Sequence, residues 1–155
     1  MKLWVVAVGM RIPDWAQMAW DDYHKRFPAE AGVSLKTVKA EPRGSRTKAQ
    51  IWAAEAKRIQ EVLPRECQKI WLDEHGQHTT TKALALRWTD WQAQGQDVAM
   101  IIGGADGFDP AIRQDGSTLM RLSDMTLPHA MVRVVLIEQL YRCWSLMTNH
   151  PYHRE

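Results

Sequence analysis

Asp97-Val98-Ala99-Met100-Ile101-Ile102-Gly103-Gly104-Ala105-Asp106-Gly107 is the stretch that decides the fold class. Its apolar run carries no alternating polar residues, so it suits a strand buried on both faces, and such strands belong to parallel sheets covered by helices. The glycines that end the run either bring backbone close to a ligand or make a tight turn with none. The segment is neither GxGxxG nor GxxxxGK(S/T), so it supports neither a dinucleotide fingerprint nor a phosphate-gripping loop.

Upstream, Leu3 to Val8 repeats the pattern and ends in Gly9, which predicts a second central strand. Pro13 and Asp14 open a helix to about Phe27 that Pro28 ends, with Trp15, Met18, Ala19 and Tyr23 expected on its buried face. Val33, Leu35 and Val38 predict a more exposed strand. Thr47 to Leu63 reads as a helix with Ile51, Ala54, Ile59 and Leu63 inward, stopped by Pro64. Lys69 to Leu72 is a further strand, running into Asp73-Glu74-His75-Gly76. Thr79 then caps a helix to about Gln94, its Leu84, Trp88 and Trp91 three or four apart, and Gly95 stops it. Strands alternating with helices predict an α/β domain with a largely parallel sheet, and no linker or internal repeat divides the chain, so residues 1–155 read as one domain. Ligands of such sheets collect at the carboxyl ends of the strands, which points to Leu72–Gly76, Gly103–Gly107 and the segment after Leu119–Ser123.

Downstream, Pro128 to Glu155 reads as one long helix that is apolar almost all round, far wider than the stripe of a surface helix, so it is expected to be buried on two sides. Its polar residues gather on one arc, where Glu138 precedes Arg142 by four and Ser145 follows a turn later. The tail Asn149-His150-Pro151-Tyr152-His153-Arg154-Glu155 is explained by neither packing nor helix propensity.

Of the 155 residues, 45% are hydrophobic and 25% charged, which excludes a disordered or fibrous chain. The net charge is only +2, but Lys36, Lys39, Arg43, Arg46 and Lys48 cluster, either for a polyanion or as a solvated basic loop. Cys67 and Cys143 lack CxxC spacing and no secretory segment opens the chain, which fits reduced thiols in the cytosol. No window approaches the ~20 apolar residues of a membrane span. The six histidines show no zinc-site spacing, so no metal is expected. Among the tryptophans, Trp15, Trp88 and Trp91 suit a core, and Trp20 is singled out as the functional exception.

Ile101–Gly107, Ser123–His129, Arg133–Arg142 and Asn149–Arg154, taken in order, resemble one family, ribosomal RNA large subunit methyltransferase H, the smallest kind of SPOUT methyltransferase. The resemblance spans the whole chain. It implies an α/β SPOUT-type sheet with helices on both faces and a deep C-terminal trefoil knot, the knotted cofactor-binding part covering about residues 70–155. It also implies a cytoplasmic homodimer, with one apolar side of the terminal helix toward its own sheet and the other toward a partner. The implied activity is methyl transfer from S-adenosylmethionine to N3 of a pseudouridine in helix 69 of 23S rRNA, on the assembled 70S ribosome.

Carried over by position, Leu72, Asp73, Gly103, Gly104, Ser123, Asp124, Met125, Thr126, Leu127 and Pro128 are the expected walls of the donor pocket. His129, Arg142, Tyr152, His153 and Arg154 are the expected catalytic and RNA-holding groups, with Arg133 and Glu138 either joining them or forming an intrahelical pair. Asp124 departs from the family's pattern by placing an extra carboxylate in the cofactor stretch. Catalysis by such a site is mostly positioning, with His129 or His153 as acceptor of the ring proton. A non-catalytic dimeric RNA-binding module, using the basic cluster and stacking aromatics, is the alternative.

Overall fold

A computed structural model describes residues 1–113 and 118–154. Five strands, β1 (Leu3–Val8), β2 (Val33–Val38), β3 (Gln68–His78), β4 (Val98–Ile102) and β5 (Thr118–Arg121), form one sheet in the order β2-β1-β4-β3-β5. Every pairing is parallel. Among the described residues four α-helices follow β1, β2, β3 and β5 in turn: α1 (Asp14–His24), α2 (Lys48–Val62), α3 (Thr81–Gln94) and α4 (His129–Met147). All five β4 residues are buried, as a central strand requires, and β2 lies at an edge with its middle residues half exposed.

Side chains alternate between two layers. Val5, Ala7, Met100 and Ile102 face α1, α3 and α4, whereas Val6, Val8, Ala99 and Ile101 face Ile59 and Val62 of α2. The sheet is thus covered on both faces. Thr47 and Gln50 begin α2 with a reciprocal capping box, at 3.2 and 3.0 Å. Thr80, one residue later than Thr79, caps α3, and Gly95 ends it in the left-handed conformation that glycine adopts without strain.

On α1 the buried face is one residue out of step with the sequence reading. Ala16 and Trp20 point inward, whereas Trp15 is 52% and Met18 72% exposed. A small alanine at the contact lets the helix lie close to its neighbours, and its low hydrophobicity hid it beside two larger apolar side chains. Trp20 is therefore a core residue, stacked on His24, and not a functional exception. The helix also ends at His24, short of Phe27.

The terminal helix stops at Met147. It lies between α1 and α3 with the sheet beneath, so its wide apolar arc is used largely within the chain. Leu136, Ile137, Leu140 and Cys143 are wholly buried, and Met131, Val134 and Val135 form a half-buried outer strip. Ser145, expected on the polar arc, is also buried. Burial pushes the Cys143 thiol up to about 12, which removes it as a nucleophile.

A candidate active site at the strand ends

Three irregular segments meet beyond the carboxyl ends of β3 and β4 and enclose a cavity of about 520 Å³, within the range of small-molecule sites. One is the glycine-rich turn after β4. Gly107 donates to the Gly104 carbonyl at 3.0 Å with its own φ at 68°, a conformation that favours glycine. The second is an excursion within β3. Pairing with β5 jumps from Leu72 to Gln77, and Asp73 accepts a 2.7 Å bond from the His75 amide across the turn. The third is 123–128, where Ser123 Oγ accepts from the Met125 amide at 2.9 Å.

Leu72, Asp73, Gly103, Gly104, Ser123, Met125, Thr126, Leu127 and Pro128 all line the cavity. Asp124 does not: it is exposed and pairs at 3.1 Å with Arg121, which does line the cavity. That carboxylate therefore charges the rim. Glu74, Asp106 and Lys48 add charge to the wall. Asp106 was legible from the glycine-rich motif, whereas Lys48 arrives from α2 with no local signal.

Much of the basic cluster braces this site. Arg43 pairs with Asp106 at 3.2 Å, and Arg46 and Arg58 both hold the buried Glu41. Trp52 donates its indole N–H to the Asp106 carbonyl at 2.9 Å. Glu55, missed by sequence reasoning, is buried where it accepts the Glu41 amide at 3.0 Å, and a Cβ placed on Gly104 would meet its carboxyl and Val8. Burial holds the Glu55 carboxyl above its ordinary value, so it stays protonated to higher pH than in the unfolded chain. Its contribution to stability is complete below its unfolded value and is lost as pH rises through its folded value. Glu55→Gln keeps an acceptor and removes the charge. It is expected to raise Tm at pH 8 by about 2–4 °C, equivalent to about 1 kcal/mol, and not at pH 4. Thermal unfolding at the two pH values measures the difference.

His129 lines the cavity from the start of α4 and has both ring nitrogens engaged. Arg133 Nε donates to its Nε2 at 3.1 Å, so Nδ1 must carry the hydrogen that meets the Gly103 carbonyl at 2.9 Å. Burial and the Arg133 charge hold the imidazole below its usual range, hence neutral. Arg133 itself is 1% exposed and also donates to the Gly9 carbonyl. Its burial excludes the RNA-holding role considered for it. The pair ties the end of β1 to the end of β4.

Arg142, Tyr152 and His153 gather elsewhere, on the outer side of α4, and Arg154 is exposed beside them. Glu138 accepts from Arg142 at 2.6 Å and from the Tyr152 hydroxyl at 3.0 Å, so the i,i+4 pair is present and the tail folds back onto it. The Tyr23 hydroxyl lies 3.1 Å from that of Tyr152. Desolvation, with these contacts, raises the Tyr152 phenol well above its ordinary value. His153 meets Ser145 at 3.0 Å. Measured along the helix, Glu138 and Ser145 lie ~14 and ~24 Å beyond His129. One chain thus brings the pocket walls together but leaves the tail cluster apart from them. Among the described residues no group of three or more His, Cys, Asp or Glu is placed to hold a metal, and no helix is long and apolar enough to cross a membrane.

A parallel α/β sheet with a cavity at the strand ends defines the class as an open α/β ligand-binding domain. The family described as "Predicted SPOUT methyltransferase" matches residues 1–153, and the chain belongs to it. Over all 155 residues it is 62% identical to ribosomal RNA large subunit methyltransferase H of Acidovorax sp. (strain JS42) and to that of Delftia acidovorans (strain DSM 14801 / SPH-1), covering 100% of each. The fold is also similar to a probable methylase family protein from Haemophilus influenzae Rd KW20, at 11% identity and a TM-score of 0.56, covering 99% of this chain and 70% of that one.

Proposed function

We propose that this protein transfers a methyl group from S-adenosylmethionine to N3 of a pseudouridine in helix 69 of 23S rRNA, in the assembled 70S ribosome of the cytoplasm. The full-length identity to relatives named as large-subunit rRNA methyltransferases carries the substrate class. The cavity supports the donor. Main chain at Gly103–Gly107 lines the cavity where adenine and ribose polar edges would lie, Leu72, Ile102 and Val132 offer apolar wall, and Asp73, Glu74 and Asp106 suit a cationic ligand. S-adenosylmethionine supplies, when bound, an electrophilic methyl on a sulfonium sulfur.

The residues of this chain do the positioning, an effect worth up to about 7–11 kcal/mol in well-aligned transfers. His129 fixes the Gly103 carbonyl, and Arg133 fixes His129. Arg142 and Arg154 carry permanent charge suited to phosphate or to an anionic ring. Because one chain holds its tail cluster apart from its own pocket, the reading includes a homodimer in which each tail serves the partner's pocket. Exposed Met10, Trp15 and Met18 and the outer strip of α4 are the apolar surface for that contact. The chain is taken as one domain whose part from about residue 70 is knotted, the return from edge strand β5 to α4 being the connection involved.

Calorimetry is expected to show S-adenosylmethionine binding, and mass spectrometry of 23S rRNA from cells lacking the protein to show the unmethylated pseudouridine. A fully methylated site in such cells overturns the reading, and a protein that binds RNA but no donor restores the non-catalytic alternative. Sedimentation at micromolar concentration should show a dimer without a folded monomer. A stable monomer there refutes the shared site. Gly104→Val should abolish donor binding, because its side chain displaces Glu55 and Val8 and shifts the wall. Unchanged affinity sinks the pocket assignment.

A further inference from the structure

We infer that Lys48 takes the carboxylate of the donor's methionyl group. The inference rests on the proposed binding of S-adenosylmethionine in the cavity. That donor carries two cationic centres, the sulfonium and an α-ammonium, and one anion, the α-carboxylate. Taking a carboxylate out of water costs free energy unless a cation or hydrogen-bond donor meets it. The walls expected from sequence hold two carboxylates, Asp73 and Asp124, and no cation. The structure adds two cations to the lining, Lys48 at the start of α2 and Arg121 at the end of β5.

Their partners distinguish the two. Arg121 is engaged by Asp124 at 3.1 Å. Of the lining acids, Asp106 is engaged by Arg43 at 3.2 Å, Asp73 accepts the His75 amide at 2.7 Å, and Glu74 lies 3.3 Å from the His75 ring. His129 has both ring nitrogens in use. Among the described residues no hydrogen bond or ion pair engages Lys48, so it is the lining cation left for a ligand. Its neighbours in the basic cluster do not compete, because Arg43 is spent on Asp106 and Arg46 on the buried Glu41. The capping box of Thr47 and Gln50 fixes the backbone at Lys48, and the flexible four-carbon stem gives the ammonium its reach. With Asp73 and Glu74 for the cationic centres, the lining then matches all three charges of the donor.

Calorimetry on the full-length protein compares S-adenosylmethionine with its decarboxylated form, which keeps the adenosine, sulfonium and ammonium and lacks the carboxylate. Lys48→Met is expected to weaken S-adenosylmethionine about fivefold, the upper end for a solvent-exposed ion pair, and by less at high salt. The decarboxylated form should bind the variant at least as tightly as the intact chain, because a like charge has been removed. Lys48→Arg, which keeps the charge, should stay within twofold for both ligands. Equal weakening of both ligands by Lys48→Met overturns the assignment and makes Lys48 a wall residue only. Unchanged donor affinity also overturns it, and slower methylation of 70S particles alongside would give Lys48 to an RNA phosphate. An intact chain that binds neither form refutes the donor reading, and the Lys48 contact falls with it.

Discussion

Removal of Tyr152 to Glu155 is expected to lower methylation of 70S particles by at least a hundredfold while leaving S-adenosylmethionine affinity near that of the intact chain. A hundredfold is about 2.7 kcal/mol of transition-state stabilisation, within reach of one positioning group and one charge-assisted contact. The described part of the tail, through Arg154, lines none of the cavity proposed for the donor, so the proposal expects binding and chemistry to separate. Tyr152 is held by Glu138 and Tyr23, and Arg142 lies over its ring at 5.1 Å, so the deletion also releases a cation–π contact. Arg154→Ala alone should reproduce much of the loss. Tyr152→Phe should cost less if the ring rather than the hydroxyl matters. A truncated protein that transfers methyl at the normal rate would show the tail to be structural packing only.

Gly76→Ala should destabilise the fold by about 3–5 kcal/mol, at the severe end for a single substitution. A Cβ at Gly76 would lie 2.6 Å from both the amide nitrogen and the carbonyl carbon of Met120. Those are main-chain atoms of β5, which the ladder with β3 holds on both sides of the excursion, at Leu72 and again at Gln77. No side chain can swing aside to make room. Gly76 therefore lets β3 loop out at Asp73 and Glu74 and still rejoin β5, which is how those carboxylates reach the cavity. Urea unfolding measures the loss through the midpoint, and a variant within 0.5 kcal/mol of the parent would mean that β5 gives way more easily than its pairing implies.

The period of the apolar residues determined the elements and the sheet type from sequence alone. Val98–Ile102 and Leu3–Val8 read as central strands because a strand covered on both faces has no polar alternation, and they occupy adjacent central positions. The pocket walls were legible for the same reason: strand ends followed by Gly103–Gly104 and by Ser123–Pro128 are where an open α/β sheet admits a ligand. What sequence could not reveal was direction. Arg133 turns into the core and Trp15 points out where Ala16 points in, because rotation of a helix about its axis is fixed by what packs against it, and Asp124, in the irregular segment before α4, pairs with Arg121 instead of lining the cavity. The α4 helix was correctly read as buried on more than one side, but only the tertiary structure decided that α1 and α3 flank it. Likewise the buried Glu55 beneath Gly104 and the pairing of Ser145 with His153 join residues whose sequence separation carries no periodic signal. Local propensity is written within a turn or a strand, whereas proton donors and acceptors meet only after the sheet order has been chosen.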